Sequence, residues 1–257
     1  MKMNMDNPAG RLHALLSITQ KYSVAEVAAR VTARHVWADV LEIQDKSDTI
    51  AIYRGLGLLL EQADRAEKLI RDIPDIDHEL YLGGFPSLKA GISTHGIDGG
   101  WSNQTGHLAP VVLRDLAFCA SKIAEFYSEG TAQQEELLRL NEEVNQLFDA
   151  VVQASLDPDL RELLLDLLET TRRAIAEYRI RGITGLREAL NKGVGVVVIM
   201  APQPNKPEEE KTILKRTFEL LGKLDQVVAR LAKYKPVLLA IRQHLLPGAG
   251  IDDSLLP

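Results

Sequence analysis

Three stretches of this chain repeat apolar residues at alternating intervals of three and four, and that rhythm constrains the fold more than any other feature. Leu137, Leu140, Val144, Leu147, Val151 and Ala154 make the first, Leu160, Leu164, Leu167, Thr171, Ala174 and Tyr178 the second, and Leu214, Thr217, Leu221, Leu224, Val228 and Leu231 the third. An α-helix stacks residues three and four apart on one face, so each stretch predicts a long helix with a continuous apolar seam of the coiled-coil kind. Asp157 and Pro158 stand between the first two, a side-chain acceptor for the opening amides followed by a proline suited to the first turn. So short a connection cannot carry the chain back to its starting end, and residues 131–181 are expected to form an antiparallel helical hairpin. The expected class is all-α, a multi-helix bundle.

The N-terminal half shows the same period less regularly. Ser23 with Glu26, and Thr131 with Gln134, match the pattern in which two side chains satisfy the free amides of a helix start. A helix is expected over Ser23–Ile43, and another over Asp48–Asp72, stopped by Pro74, with Ile52, Leu56, Leu59, Ala63, Ala66 and Ile70 inward. Gly55 and Gly57 inside it each cost about 1 kcal/mol relative to alanine, which points to close helix approach or a bend. A further helix is expected from Pro110 to about Tyr127, with Leu113, Leu116, Ala117, Ala120, Ile123 and Ala124 inward.

Residues 80–110 break the pattern. Seven glycines and two prolines interrupt all periodicity, which predicts one long Gly-rich loop. Ordering so many glycines costs backbone entropy that a few apolar anchors offset only in part. Phe85 and Trp101 are expected to pack onto helices while 94–100 stays mobile. Beyond the hairpin, RIRGITGLREALNKG is expected to hold a short helix bracketed by turns at Gly182 and Gly185. The run GVGVVVIM at 193–200 is open between the end of a helix, a buried connector and a short strand. The proline-rich stretch 202–207 is the expected boundary between a bundle over 1–201 and a C-terminal helical segment over 208–257.

Composition narrows the functional classes. A single cysteine, Cys119, excludes an internal disulfide and a multi-cysteine zinc site and suits a reducing cytoplasm. A net charge of −6 argues against nonspecific nucleic-acid binding. No window approaches the roughly 20 apolar residues that a spanning helix needs, so no integral membrane segment is expected. Neither a phosphate-binding loop nor a nucleophile elbow occurs, and no cofactor is expected. Residues 131–170 carry ten acidic and two basic side chains, and 171–192 carry six basic and two acidic, a split that an antiparallel hairpin could satisfy internally.

Two groups around the Gly-rich segment are candidates for a site. Phe85, His95, Asp98, Trp101 and His107 could form a recognition surface, since aromatics on glycine-flanked loops can fill a partner's pocket. Trp101 could equally plug the helical core. Asp75, Asp77, His78, His95, Asp98 and His107 combine imidazoles with carboxylates, the donor set that suits zinc, manganese or iron, at spacings that match no motif. The expected function is a non-enzymatic interaction or oligomerisation protein, an adaptor or scaffold that binds a protein partner or a second copy through the Gly-rich loop and associates through one of its seams. The alternatives are a metal-dependent hydrolase or nuclease with its site over 75–107, and a membrane-perturbing effector that inserts residues 193–200.

Overall fold

A computed structural model describes residues 7–93, 96–199 and 207–232, with side chains except at 197–199. Among these residues the fold is all-α, and the one β feature is an isolated antiparallel bridge between Thr32 and Gly100. No helix among them is long and apolar enough to cross a membrane. Two compact units divide the chain, Met1–Glu129 with Arg179–Gly182, and Gly130–Tyr178 with Ile183–Pro257. The division falls at Glu129–Gly130, with residues 179–182 returning to the first unit; of the linker expected at 202–207, residues 202–206 lie outside the described residues.

The first unit is built on α1 (Pro8–Ser17), extended by a 3-10 turn over Ile18–Tyr22. Asn7 caps it, accepting from Gly10 N at 3.0 Å and donating to Ala120 O at 2.9 Å. The predicted helix over 23–43 is instead two, α2 (Ala25–Ala28) and α3 (Ala33–Val40). Ser23 does not cap α2: its hydroxyl donates to Thr19 O, and the cap residue is Val24. The break has a nonlocal cause. Ala33 N and Arg34 N donate to Gly99 O and Ile97 O at 3.0 and 2.7 Å, and Val31 O accepts from Trp101 N at 2.9 Å. Backbone groups needed to continue a helix are committed to the glycine-rich segment, and Thr32 opens α3 as a new cap.

Helix α4 (Thr49–Arg71) starts from an Asp48 cap and buries all six predicted inward residues. A Cβ at Gly55 would overlap Leu41, so this glycine does permit close approach, whereas Gly57 faces open space. The segment 80–110 is not one loop. It contains α5 (His78–Leu82), α6 (Phe85–Ile92) and α7 (Ser102–Thr105), and α8 (Pro110–Ala124) follows. Asp77 caps α5 and Pro86 occupies the first turn of α6. Phe85, Leu88, Ile92, Ile97, Trp101 and Leu108 are all buried with the core of α1, α4 and α8, which offsets the entropy of the glycines. The segment that joins α6 to α7 is pinned from Ile97 to Trp101 by the bonds to residues 31–34; Thr94 and His95 lie outside the described residues.

The second unit contains α9 (Gln134–Gln153), α10 (Pro158–Ala176), α12 (Ile183–Ile199) and α13 (Glu208–Ala232); the short α11 (Tyr178–Arg181), between α10 and α12 in the chain, belongs to the first unit from Arg179 on. Each long helix packs on the next, and α13 packs back on α9, closing a ring of four. Helix α9 runs antiparallel to both α10 and α13. Ala154 O contacts Arg161 beside the turn while Ala132 N reaches the Tyr178 hydroxyl at the far end, and Ser155, Glu143, Glu136 and Gly130 meet Glu209, Lys223, Arg230 and Leu231 in that order. Helix α9 starts after Gln133, with no side-chain cap from that residue, and Asp157 caps α10 by accepting from Asp159 N and Leu160 N.

Of the readings open for 193–200, the end of the preceding helix is the one found: the chain continues α12 through Ile199 with no strand, and Met200 lies outside the described residues. The short helix bracketed by turns is replaced by one helix running through Gly185, Gly193 and Gly195. A Cβ at Gly193 would overlap Leu221, so the glycine lets α12 approach α13 closely. All three seams point into this ring, burying Leu147, Leu164, Leu224 and their in-phase neighbours. None of them is left to join a second chain.

Candidate functional site

The residues singled out from sequence do not assemble. Phe85 and Trp101 are core residues: Trp101 is 1% exposed and meets Trp37 edge to face at 5.6 Å, with both indole nitrogens buried and without a hydrogen-bond acceptor. A residue so placed plugs the core and presents nothing to a partner. Asp98 pairs with Arg34 at 2.7 Å, and Arg34 also donates to Thr49 Oγ1. Asp77 is spent on its helix cap, the His78 ring nitrogen contacts Ile73 O at 3.0 Å, and His107 is exposed with its carbonyl accepting from Ser87. Among the described residues no group of three or more His, Cys, Asp or Glu side chains converges as a metal site; His95 lies outside them.

Buried charge gathers elsewhere in the first unit. Glu129, 3% exposed, accepts from Arg11 at 2.7 Å, Arg65 at 3.2 Å and the Tyr127 hydroxyl. Arg11 also donates to Ile180 O, Arg181 O and Gln62 Oε1. Gly182 follows at φ +58°, and a Cβ there would strike the Arg11 guanidinium. Burial, reinforced by the bond to Glu129, pushes the Tyr127 phenol up to about 12. Every group here is engaged by another protein group, so the cluster clamps residues 179–182 in place. Cys119 is similarly closed: burial pushes its thiol up to about 12, and Sγ donates to Tyr81 O at 3.1 Å. A thiol that ionises so late is a poor nucleophile.

What the first unit does expose is a groove between α5 and α8 in which Leu80, Tyr81 and Phe118 stand among polar and charged side chains. Leu80, Tyr81, Arg114, Asp115, Phe118, Ser121, Lys122 and Glu125 line a space of about 310 Å³. Leu80 is 74% and Phe118 55% exposed, and Val111 and Phe126 extend the apolar surface along the outer side of α8. Residues 111, 114–115, 118 and 121–122 recur at helical spacing as a stripe on one face of α8, and Glu125 and Phe126 follow at its C-terminal end, with Lys122 Nζ over the Phe126 ring at 5.4 Å. The charges here balance: Arg114 pairs with Asp115 at 3.1 Å and Lys122 with Glu125 at 2.7 Å. The stripe had a sequence signal. Phe118 stands out of phase with Leu113, Leu116, Ala120 and Ile123, which places an aromatic residue on the side that should face water.

The fold and this surface define an all-α protein with an exposed apolar helix face. Comparison with protein-family models, with curated proteins and with solved structures returned no match.

Proposed function

We propose that this chain acts by binding, as a non-enzymatic interaction protein, and that its docking surface is the α5–α8 face. One observation carries the reading: Leu80 and Phe118 project from two helices into one groove while remaining largely open to water. Single exposed apolar residues are ordinary on protein surfaces, but two of them from different helices sharing one groove suit cover by another surface. Aromatic residues at the centre of such a face, rimmed by charge, have the layout of binding hot spots. This reading differs from the surface of Phe85, His95, Asp98, Trp101 and His107 drawn from sequence, since it rests on α5 and α8 instead.

Site-specific photo-crosslinking tests this. A photoreactive phenylalanine analogue at position 118, in the cell that makes the chain, is expected to yield a discrete covalent adduct with another polypeptide. The same analogue at Ile50, an exposed apolar residue of α4, serves as the control. Adducts from 118 that are no more abundant or discrete than those from 50 would overturn the reading.

A further inference from the structure

We infer that the occupant of the α5–α8 face is a second copy of this chain, packed antiparallel so that α8 meets α8 about a two-fold axis. The inference rests on the docking reading above and on the order of charges along the helix. From its N-terminal end the outer face of α8 reads Arg114, Asp115, Phe118, Lys122, and Glu125 follows as the C-cap, still in helical backbone conformation. In an isologous pair, residue i of one chain faces residue j of the other and j faces i, so a self-complementary surface must match itself when reversed. This one does. An axis passing between residues 118 and 120 sets Arg114 opposite Glu125 of the second copy and Asp115 opposite its Lys122. Both pairs share nearly the same centre, and each occurs twice.

Phe118 lies within about one residue of that axis, where the two aromatic side chains pack beside each other and against the grooves walled by Leu80 and Tyr81. Val111 and Phe126 lie further out along the same face, each reaching toward the opposite end of the other helix. Charge balance favours a like partner in a second way. The chain as a whole carries −6, which opposes the approach of two copies, whereas two cations and two anions on this face add no repulsion to that encounter. The pairs made within one chain, Arg114–Asp115 and Lys122–Glu125, exchange for the corresponding pairs between chains. The ionic groups therefore set orientation and register, and the apolar side chains supply the attraction.

Sedimentation velocity on the full chain over a concentration series, with charge-reversed variants, tests the inference. The natural chain is expected to shift from monomer to dimer as concentration rises. Asp115→Lys faces Lys122 of the second copy with like charge, and Lys122→Asp faces Asp115. Because each contact occurs twice, either variant alone should raise the dimer dissociation constant roughly tenfold or more. Mixed in equal amounts the two should recover dimer, since each reversed charge then meets its opposite. Recovery also shows that both variants are folded. A chain that stays monomeric at every concentration reached would overturn the inference, as would a dimer indifferent to either reversal or a mixture that regains nothing. An adduct from position 118 to an unrelated polypeptide would retain the docking reading and remove this one.

Discussion

Replacing Glu129 with alanine should destabilise the first unit by about 3 kcal/mol. Glu129 is 3% exposed and is the carboxylate shared by Arg11 and Arg65, at 2.7 and 3.2 Å, with the Tyr127 hydroxyl on the same oxygen as Arg65. Removing one partner of a buried ion pair costs about 3–5 kcal/mol, because the remaining charge is left desolvated and unpaired. The Arg11 side chain is 10% exposed and feels most of that penalty, while Arg65 at 26% can turn toward water, so the lower end applies. Glu129→Gln keeps an acceptor for Tyr127 and one arginine while losing the charge, and should cost less. Arg11→Met combined with Glu129→Leu removes both charges of the closest pair and should recover part of the loss, since apolar replacement of a whole buried pair is often tolerated. Urea unfolding followed by tryptophan fluorescence isolates the effect, because the chain's two tryptophans, Trp37 and Trp101, both lie in the first unit. A cost for Glu129→Ala below about 1 kcal/mol, the range of an exposed pair, would refute the view that this cluster is a buried clamp. So would a double variant whose loss equals the sum of the singles.

Other expectations follow from burial and titration. Leu147→Ala, deep in the ring of the second unit, should lower stability by about 2–5 kcal/mol in denaturant unfolding read by circular dichroism; a loss under about 1 kcal/mol would mean that the seam is not packed as described. Tyr127 ionises in the folded chain near 12, above the ordinary tyrosine value of 10. A raised pKa contributes stability that is present below pH 10 and lost as pH rises through 12, so Tyr127→Phe should flatten part of the fall in unfolding midpoint across that window; an unchanged fall would contradict it. Cys119 should react with a disulfide reagent only on unfolding, and rapid modification of the native chain would show that the first-unit core opens readily.

Periodicity made the long helices legible, because a seam is a local property of sequence. The inward face of α4 and the seams of α9, α10 and α13 could be named residue by residue for that reason. What periodicity cannot carry is where a seam finds its complement. The closing of α13 onto α9 depends on residues some 80–100 positions apart, such as Glu143 with Lys223 and Glu136 with Arg230. Glycine misled in two places for one reason. A glycine costs about 1 kcal/mol in a helix, yet at Gly91 and Gly193 it admits Leu108 and Leu221 into van der Waals range, and the packing gained outweighs the propensity lost. The break between α2 and α3 was invisible from Ser23–Ile43 alone, because it is imposed by Ile97, Gly99 and Trp101. For the site, Trp101 drew attention as an aromatic among glycines and proved to be core, while Phe118 stood in plain phase on the outer face of α8.

The meeting of two copies across α8 can be measured most directly as a distance. Val111 lies at the rim of the proposed interface, about 8 residues from the two-fold axis, so a spin label on Val111→Cys would face its symmetry mate roughly 16 residues away along the helix. At about 1.5 Å per residue and an interaxial separation of about 8–10 Å, the two positions lie about 25–30 Å apart. Double electron–electron resonance should therefore show a peak in that range that grows with protein concentration. A label on Val152→Cys, on α9 of the other unit, should not give the same distance. No concentration-dependent distance from position 111, or a peak well outside that range, would contradict an antiparallel pairing of α8 with itself.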